Sequence, residues 1–289
     1  MTPDLARRTW RIAEPIHAMI YFVPEAAARY AEIGITHPRM GYFASRAAAM
    51  GAVGAEVVIA TFFNFNPALV RRAIPAVWTI TTPERVIEAR FSAVDDALRR
   101  AWTDEILTSD PLSQAAELAQ RAAEAAGTRV EGRPLFAGHA EQPWPDEPHL
   151  VLWHAQSLLR EFRGDGHIAA LVNEGLTGIE ALITHAAAGD VPAAALIATR
   201  AWSGEEWAAG VAGLVERGVI APGADLAFTD EGRSMRQRIE DTTDRLAMFP
   251  YRALGDDACA AFTELVRPLS KAVVDGGLLV PDLRRLLAD

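Results

Sequence analysis

Between Leu176 and Gly232 the apolar positions fall into three short amphipathic groups, LTGIEALITHAAAG, DVPAAALIATRAW and SGEEWAAGVAGLVERGVI. Their spacing predicts three helices. Two short β-like runs follow around a Pro222-Gly223 turn, and a capped helix begins after Thr229. Ser203 followed three residues later by Glu206 predicts a capping box at the third helix. Upstream, residues 9–33 read as helix interrupted by Pro15 and Pro24, because an interior proline loses a hydrogen bond and clashes with the preceding turn. Further helices are expected over 41–50, 54–63, 67–78, 82–102 and 111–126. In the fourth, Val86, Ile87, Phe91, Val94 and Leu98 keep helical spacing.

Residues 127–149 break this pattern with Pro134, Pro143, Pro145 and Pro148 and read as a linker. A helix is expected over 149–163, ended or bent by Gly164-Asp165-Gly166 and resuming at 167–174. Two amphipathic helices, 230–248 and 256–275, complete the chain. The expected organisation is an N-terminal half (1–126), the linker (127–149) and a C-terminal half (150–289).

The halves also overlay. PEAAARYAEIGI (24–35) aligns with DGHIAALVNEGL (165–176), and SRAAAMGAVGAEVVIAT (45–61) with THAAAGDVPAAALIAT (184–199), at offsets that change little along the chain. A repeat sets the architecture. The predicted fold is therefore mainly α, with tandem winged helix-turn-helix-like halves, each with a small β wing, forming a pseudo-dimer inside one chain.

The order helix, helix, helix ending Glu216-Arg217-Gly218, hairpin, then Phe228-Thr229 before Gly232 resembles the MarR-like family of winged helix-turn-helix regulators. The phrases Glu14-Pro15-Ile16-His17, Tyr21 to Ala26, Gly41 to Arg46, Leu152 to Ala155 and Leu159 to His167 are similar to a group of actinobacterial helix-turn-helix proteins. That resemblance covers nearly the whole chain. It implies the fold and carries no established activity.

Composition changes the picture in three ways. The formal charge is −10, and a single lysine, Lys271, stands among 28 basic residues. Helices that read DNA place cationic and hydrogen-bonding groups at their N-terminal ends. The helix opening Ser203-Gly204-Glu205-Glu206-Trp207 places two carboxylates there, and the wing Ala221 to Asp225 has no arginine, so its acidity disfavours DNA. Glu205 and Glu206 also suit the dipole of a first helical turn. One cysteine, Cys259, excludes an intrachain disulfide. No apolar run approaches membrane-spanning length, and the N-terminus lacks a signal-peptide pattern, so a cytoplasmic protein without membrane contact is expected.

Motifs for phosphate loops, nucleophile elbows and metalloproteases are absent from the sequence. What remains is a polar and aromatic set: His17, Tyr21, Phe22, Tyr42, Phe43, Arg46, His154, Arg160, Arg163 and His167. If the halves pair, these residues border their junction, where small-molecule pockets concentrate. The leading expectation is a binding protein for a planar or hydrophobic, anionic small molecule, held by arginine forks and aromatic walls. A haem or other tetrapyrrole is a candidate ligand on the strength of the histidines. The alternatives are a ligand-responsive DNA-binding regulator and an enzyme using His154 or His167 as general base. The chain would act as a monomeric pseudo-dimer or as a homodimer.

Overall fold

The computed structural model describes residues 1–189, 191–223 and 225–279. The last ten residues of the expected C-terminal half and Ala224 of the expected wing therefore lie outside the described residues. Fifteen α-helices account for most of it. They are α1 (Pro3–Ala18), α2 (Pro24–Glu32), α3 (Pro38–Ala47), α4 (Ala55–Phe62), α5 (Pro67–Ala73), α6 (Pro83–Ala101), α7 (Asp104–Leu107) and α8 (Asp110–Ala126), then α9 (Pro134–Ala140), α10 (Pro148–Asn173), α11 (Gly178–Ala187), α12 (Ala193–Arg200), α13 (Gly204–Glu216), α14 (Asp230–Leu254) and α15 (Asp256–Asp275). Among the described residues no single helix is long and apolar enough to cross a membrane.

The helix starts follow from local chemistry. Pro sits in the first turn of α1, α2, α3, α5, α6, α8, α9 and α10, where its missing N–H costs nothing. Thr82, Ser109, Thr177, Ser203 and Thr229 cap α6, α8, α11, α13 and α14. The capping box expected at Ser203 is present: Ser203 Oγ accepts from Glu206 N at 3.1 Å, and the Glu206 carboxylate accepts from Ser203 N at 2.8 Å. α1 runs straight through Pro15 and ends at Ala18, and a 3-10 turn, Met19–Tyr21, leads into α2.

Two expectations are corrected. Gly164-Asp165-Gly166 does not end its helix, and α10 runs through it over 26 residues in all. An interior glycine costs a helix about 1 kcal/mol, and packing offsets that here. A Cβ on Gly166 would lie 2.9 Å from Arg133 Nη1 and 3.2 Å from Leu246 Cβ, so the glycine lets two neighbours approach. Residues 127–149 also do more than connect. They contain α9, whose Leu135, Phe136 and His139 are buried. The Asp165 carboxylate accepts from Phe136 N at 3.0 Å, so it caps α9 across the fold and not the next helix in sequence.

Two apolar cores result. The larger gathers α1 to α6, α8, α9, the N-terminal part of α10, the end of α14 and α15. Its centre is α10, where His149 to Leu159 are all buried, as expected of a helix apolar on nearly every side. The smaller core gathers Ala170 and Leu171 of α10 with α11, α12, α13 and Met235 and Ile239 of α14. After α13, Ile220 and Phe228 form an antiparallel bridge, closed by Ala221 N donating to Ala227 O at 2.8 Å. This is the wing-like hairpin expected in the second half. The first half has none: residues 1–126 contain no strand, and α5 is followed by a cis Ile74-Pro75 bond and a 3-10 turn.

Candidate functional site

The polar residues that matter most are buried where α1, α3, α6 and α10 meet. α1 and the turn after it bring Glu14, His17 and Tyr21 onto one face by their spacing of three and four. α3 brings Tyr42, Ser45 and Arg46, and α10 brings Trp153, Ser157, Arg160 and Glu161. His17 is fully buried; Nδ1 meets Ser157 Oγ at 2.8 Å and Nε2 meets Tyr21 Oη at 2.9 Å. Its ring stacks near-parallel on Trp153. Arg46 donates through Nη1 to Tyr42 Oη at 3.1 Å and through Nη2 to both Glu161 oxygens at 3.2 Å. Arg160 donates to Glu161 at 2.8 Å and approaches Glu14 at 3.5 Å. The guanidinium of Arg46 also lies over the Phe62 ring at 4.4 Å, a cation–π contact.

These contacts set the charges. Burial raises the Glu161 carboxyl, but Arg160 and Arg46 outweigh it and hold the group well below the usual range. Glu14 has weaker partners. Burial, opposed by Arg160 and reinforced by Glu161, pushes it up to about 7. Burial, then Arg160, drives His17 well below its ordinary value, so the ring is neutral. His139 is neutral for the same reason, with Arg90 beside it. The two tyrosines diverge: burial raises Tyr21, while at Tyr42 burial is outweighed by Arg46 and the phenol is acidified.

A cavity of about 300 Å³ opens beside this cluster. Its walls come from residues 20–45, including Tyr21, Phe22, Tyr30, Tyr42 and Ser45. It therefore lies against α2 and α3 within the first half, not between the halves, with α10 standing behind Tyr21 and Tyr42. His17, Tyr21, Tyr42, Arg46 and Arg160 are brought together as expected of one site. Phe22, 40% exposed, lines the cavity. The other four are elsewhere. Phe43 is fully buried against Phe62 and Phe65 and serves the core. His154 packs on Phe91 and Trp144, and burial pushes it down to about 4. Arg163 pairs with Asp244 at 2.7 Å over the Trp10 ring. His167 Nδ1 meets Thr243 Oγ1 at 2.9 Å, and burial pushes it down to about 4.

This scatter bears on the expected ligands. A haem does not fit: both His17 nitrogens are engaged, and His154 and His167 sit in separate packed regions away from the cavity. Neither of the latter lines the cavity, so neither is placed as its general base. Sequence reasoning passed over Glu14, Tyr30, Ser45, Arg90, Ser157 and Glu161. The signal for Ser157 is present, as a polar residue inside the apolar part of α10.

A second feature joins the α3–α5 region to α12 and α13. Asn66, which caps α5, donates through Nδ2 to both Glu206 oxygens at 3.2 Å. Asn66 N donates to Arg200 O at 3.0 Å, Trp202 Nε1 to Asn64 O at 3.0 Å, and Arg39 Nη1 to Thr199 O at 2.7 Å. The N-terminal ends of α5 and α13, where a reading helix would meet base edges, are thus tied to each other. An open groove of about 480 Å³ runs beside them, with Leu69, Arg72 and Trp202 in its walls.

No curated protein and no solved structure matches the chain significantly. A family model described as "Helix-turn-helix family" matches residues 6–280. With the α11–α12–α13 unit, its hairpin and a match over almost the whole length in hand, the chain belongs to that helix-turn-helix family.

Proposed function

We propose that the protein binds a small, planar, partly apolar molecule in the cavity beside Tyr21 and Tyr42, on a scaffold of two helix-turn-helix units paired within one chain. The observation that carries the reading is the cavity itself. It has aromatic walls and a few polar groups, which is what small-molecule sites use, and it is backed by the buried Arg46–Glu161–Arg160 cluster. The tandem arrangement is supported by element order: α3, α4 and α5 recur as α11, α12 and α13 after intervals of about 140 residues. The residues closing α4 and α12, Phe63 and Ala201, are the non-glycine positions with positive φ among the described residues, at 56° and 57°, with ψ of −56° and 36°. Two such costly conformations at matching places favour one repeated design. The hairpin after α13 favours a MarR-like winged form of it.

Native mass spectrometry on protein from its source organism tests the reading, with Tyr42→Ala as the control. A co-purifying small molecule in the wild type and its loss in the variant are expected. A ligand-free wild type that no aromatic compound stabilises against heat would refute it.

Family membership favours a second reading, a DNA-binding regulator that responds to such a ligand. It predicts a complex with promoter DNA whose affinity falls steeply with salt. The clasp between Asn66 and Glu206 opposes base reading in the arrangement described, so this reading requires α5 and α13 to part. No mobility shift at low salt, with or without ligand, removes it.

A further inference from the structure

Arg90 sits on α6 behind the inner wall of the cavity and is 2% exposed. Its Nη1 donates to Ser45 O at 3.0 Å and lies 3.5 Å from His139 Nε2, and its guanidinium faces the Trp153 ring at 5.0 Å. Its Nε and Nη2 are buried and have no hydrogen-bond partner. No carboxylate pairs with it among the described residues, whereas Arg46 and Arg160 share Glu161. A buried guanidinium with unmet donors is costly.

The open edge is informative. Nε and Nη2 form the side of the fork that grips a carboxylate two-handed. Arg71 uses that edge on Glu56 at 2.9 and 3.2 Å, and Arg238 uses it on Glu174 at 3.1 and 2.9 Å. Arg90 keeps the same edge vacant in the interior. Arg90 does not itself line the cavity; Tyr30 and Ser45, which do, lie against one another, and their side chains must turn aside for a ligand carboxylate to reach the edge.

Resting on the ligand-binding reading above, we infer that the ligand is a planar carboxylate and that Arg90 receives its acid group, assisted by the hydroxyl of Tyr30. The aromatic body then lies against Tyr21, Tyr42 and Phe22. Arg90 sets specificity by charge: a neutral analogue of the same shape leaves the edge unmet.

Matched pairs test this: benzoate against benzamide, and 2-naphthoate against 2-naphthamide, by calorimetry and thermal shift. In the wild type the acids should bind at least about tenfold tighter than the amides, as a charged hydrogen-bonded pair implies. Arg90→Met should erase that preference and Arg90→Lys restore part of it. Amides binding as well as acids, or a preference surviving Arg90→Met, would overturn the role of Arg90 while leaving the cavity reading standing. Neither member of either pair binding, together with no co-purifying molecule, would sink both. A ligand-free comparison stands apart from the choice of probe. Arg90→Met should melt no lower than wild type, whereas Arg46→Met, which weakens the compensation of Glu161, should melt lower. An equal drop in both variants assigns Arg90 an ordinary structural role and refutes the inference.

Discussion

Glu161 is the residue on which the buried charges depend. Its carboxylate is shared by Arg46 and Arg160, and all three are largely removed from water. Glu161→Gln leaves the buried Arg46 guanidinium without its counter-charge and the half-buried Arg160 with Glu14 alone, and breaking a buried pair from one side costs about 3–5 kcal/mol. Urea unfolding of the variant should show that loss; a change below about 1 kcal/mol would mean that water reaches the cluster. Glu14 behaves oppositely. Its carboxyl is pushed up to about 7 from an ordinary 4.5, so the fold favours the protonated form. Stability from this group is fully present below pH 4.5 and is lost as pH rises towards 7. Glu14→Gln should therefore melt higher than wild type at pH 8 and close to it at pH 5. Half of this site is legible in the sequence, because His17 with Tyr21 and Tyr42 with Arg46 share helix faces at a spacing of four. Glu161 is not, since Arg-Glu on a helix reads as a solvated pair. Arg90 is not either: α6 also carries Arg85, Arg99 and Arg100, and only its packing picks Arg90 out as buried.

At the scale of elements, helix starts are legible and helix ends less so. Proline, serine and threonine mark the first turns by chemistry that acts within four residues. Gly164-Asp165-Gly166 misleads because its effect depends on Arg133 and Leu246, remote in sequence and adjacent in space. The proline-rich stretch 127–149 misleads likewise, since Asp165 supplies the cap that lets α9 form. The contact between the end of α4 and the start of α11 rests on a glycine. A Cβ on Gly178 would fall 2.0 Å from the backbone oxygen of Phe63, while one on Gly204 meets nothing within 4 Å. Gly178→Ala should cost about 1–3 kcal/mol or more through overpacking, and Gly204→Ala should stay within about 0.5 kcal/mol. Equal melting temperatures for the two variants would show that the segments are free to separate.

On the scale of the molecule, the division into two cores is not the division at 127–149 that punctuation suggests. The first and last described helices meet instead: α1 packs on α15, and the Met1 amine pairs with Asp256 at 2.7 Å. Cys259 lies in this closing layer, fully buried, with its thiol pushed up to about 11 chiefly by burial. Labelling of this thiol by a disulfide reagent should follow global unfolding and accelerate with denaturant; prompt labelling of native protein would mean that α15 detaches on its own. The smaller core buries fewer large side chains, so amides of α11–α13 should exchange with deuterium ahead of those in α8 and α10. Both cores grip the same helix. α10 is 26 residues long, a rod of about 39 Å, with Ser157, Arg160 and Glu161 near its middle and Leu171 at its far end. Geometry makes such a rod an amplifier. A tilt of about 3° pivoting at one end carries the other through about 2 Å. α10 thus carries the arginine cluster near its middle and the smaller core, with α11–α13, at its far end, so one continuous helix joins the two regions.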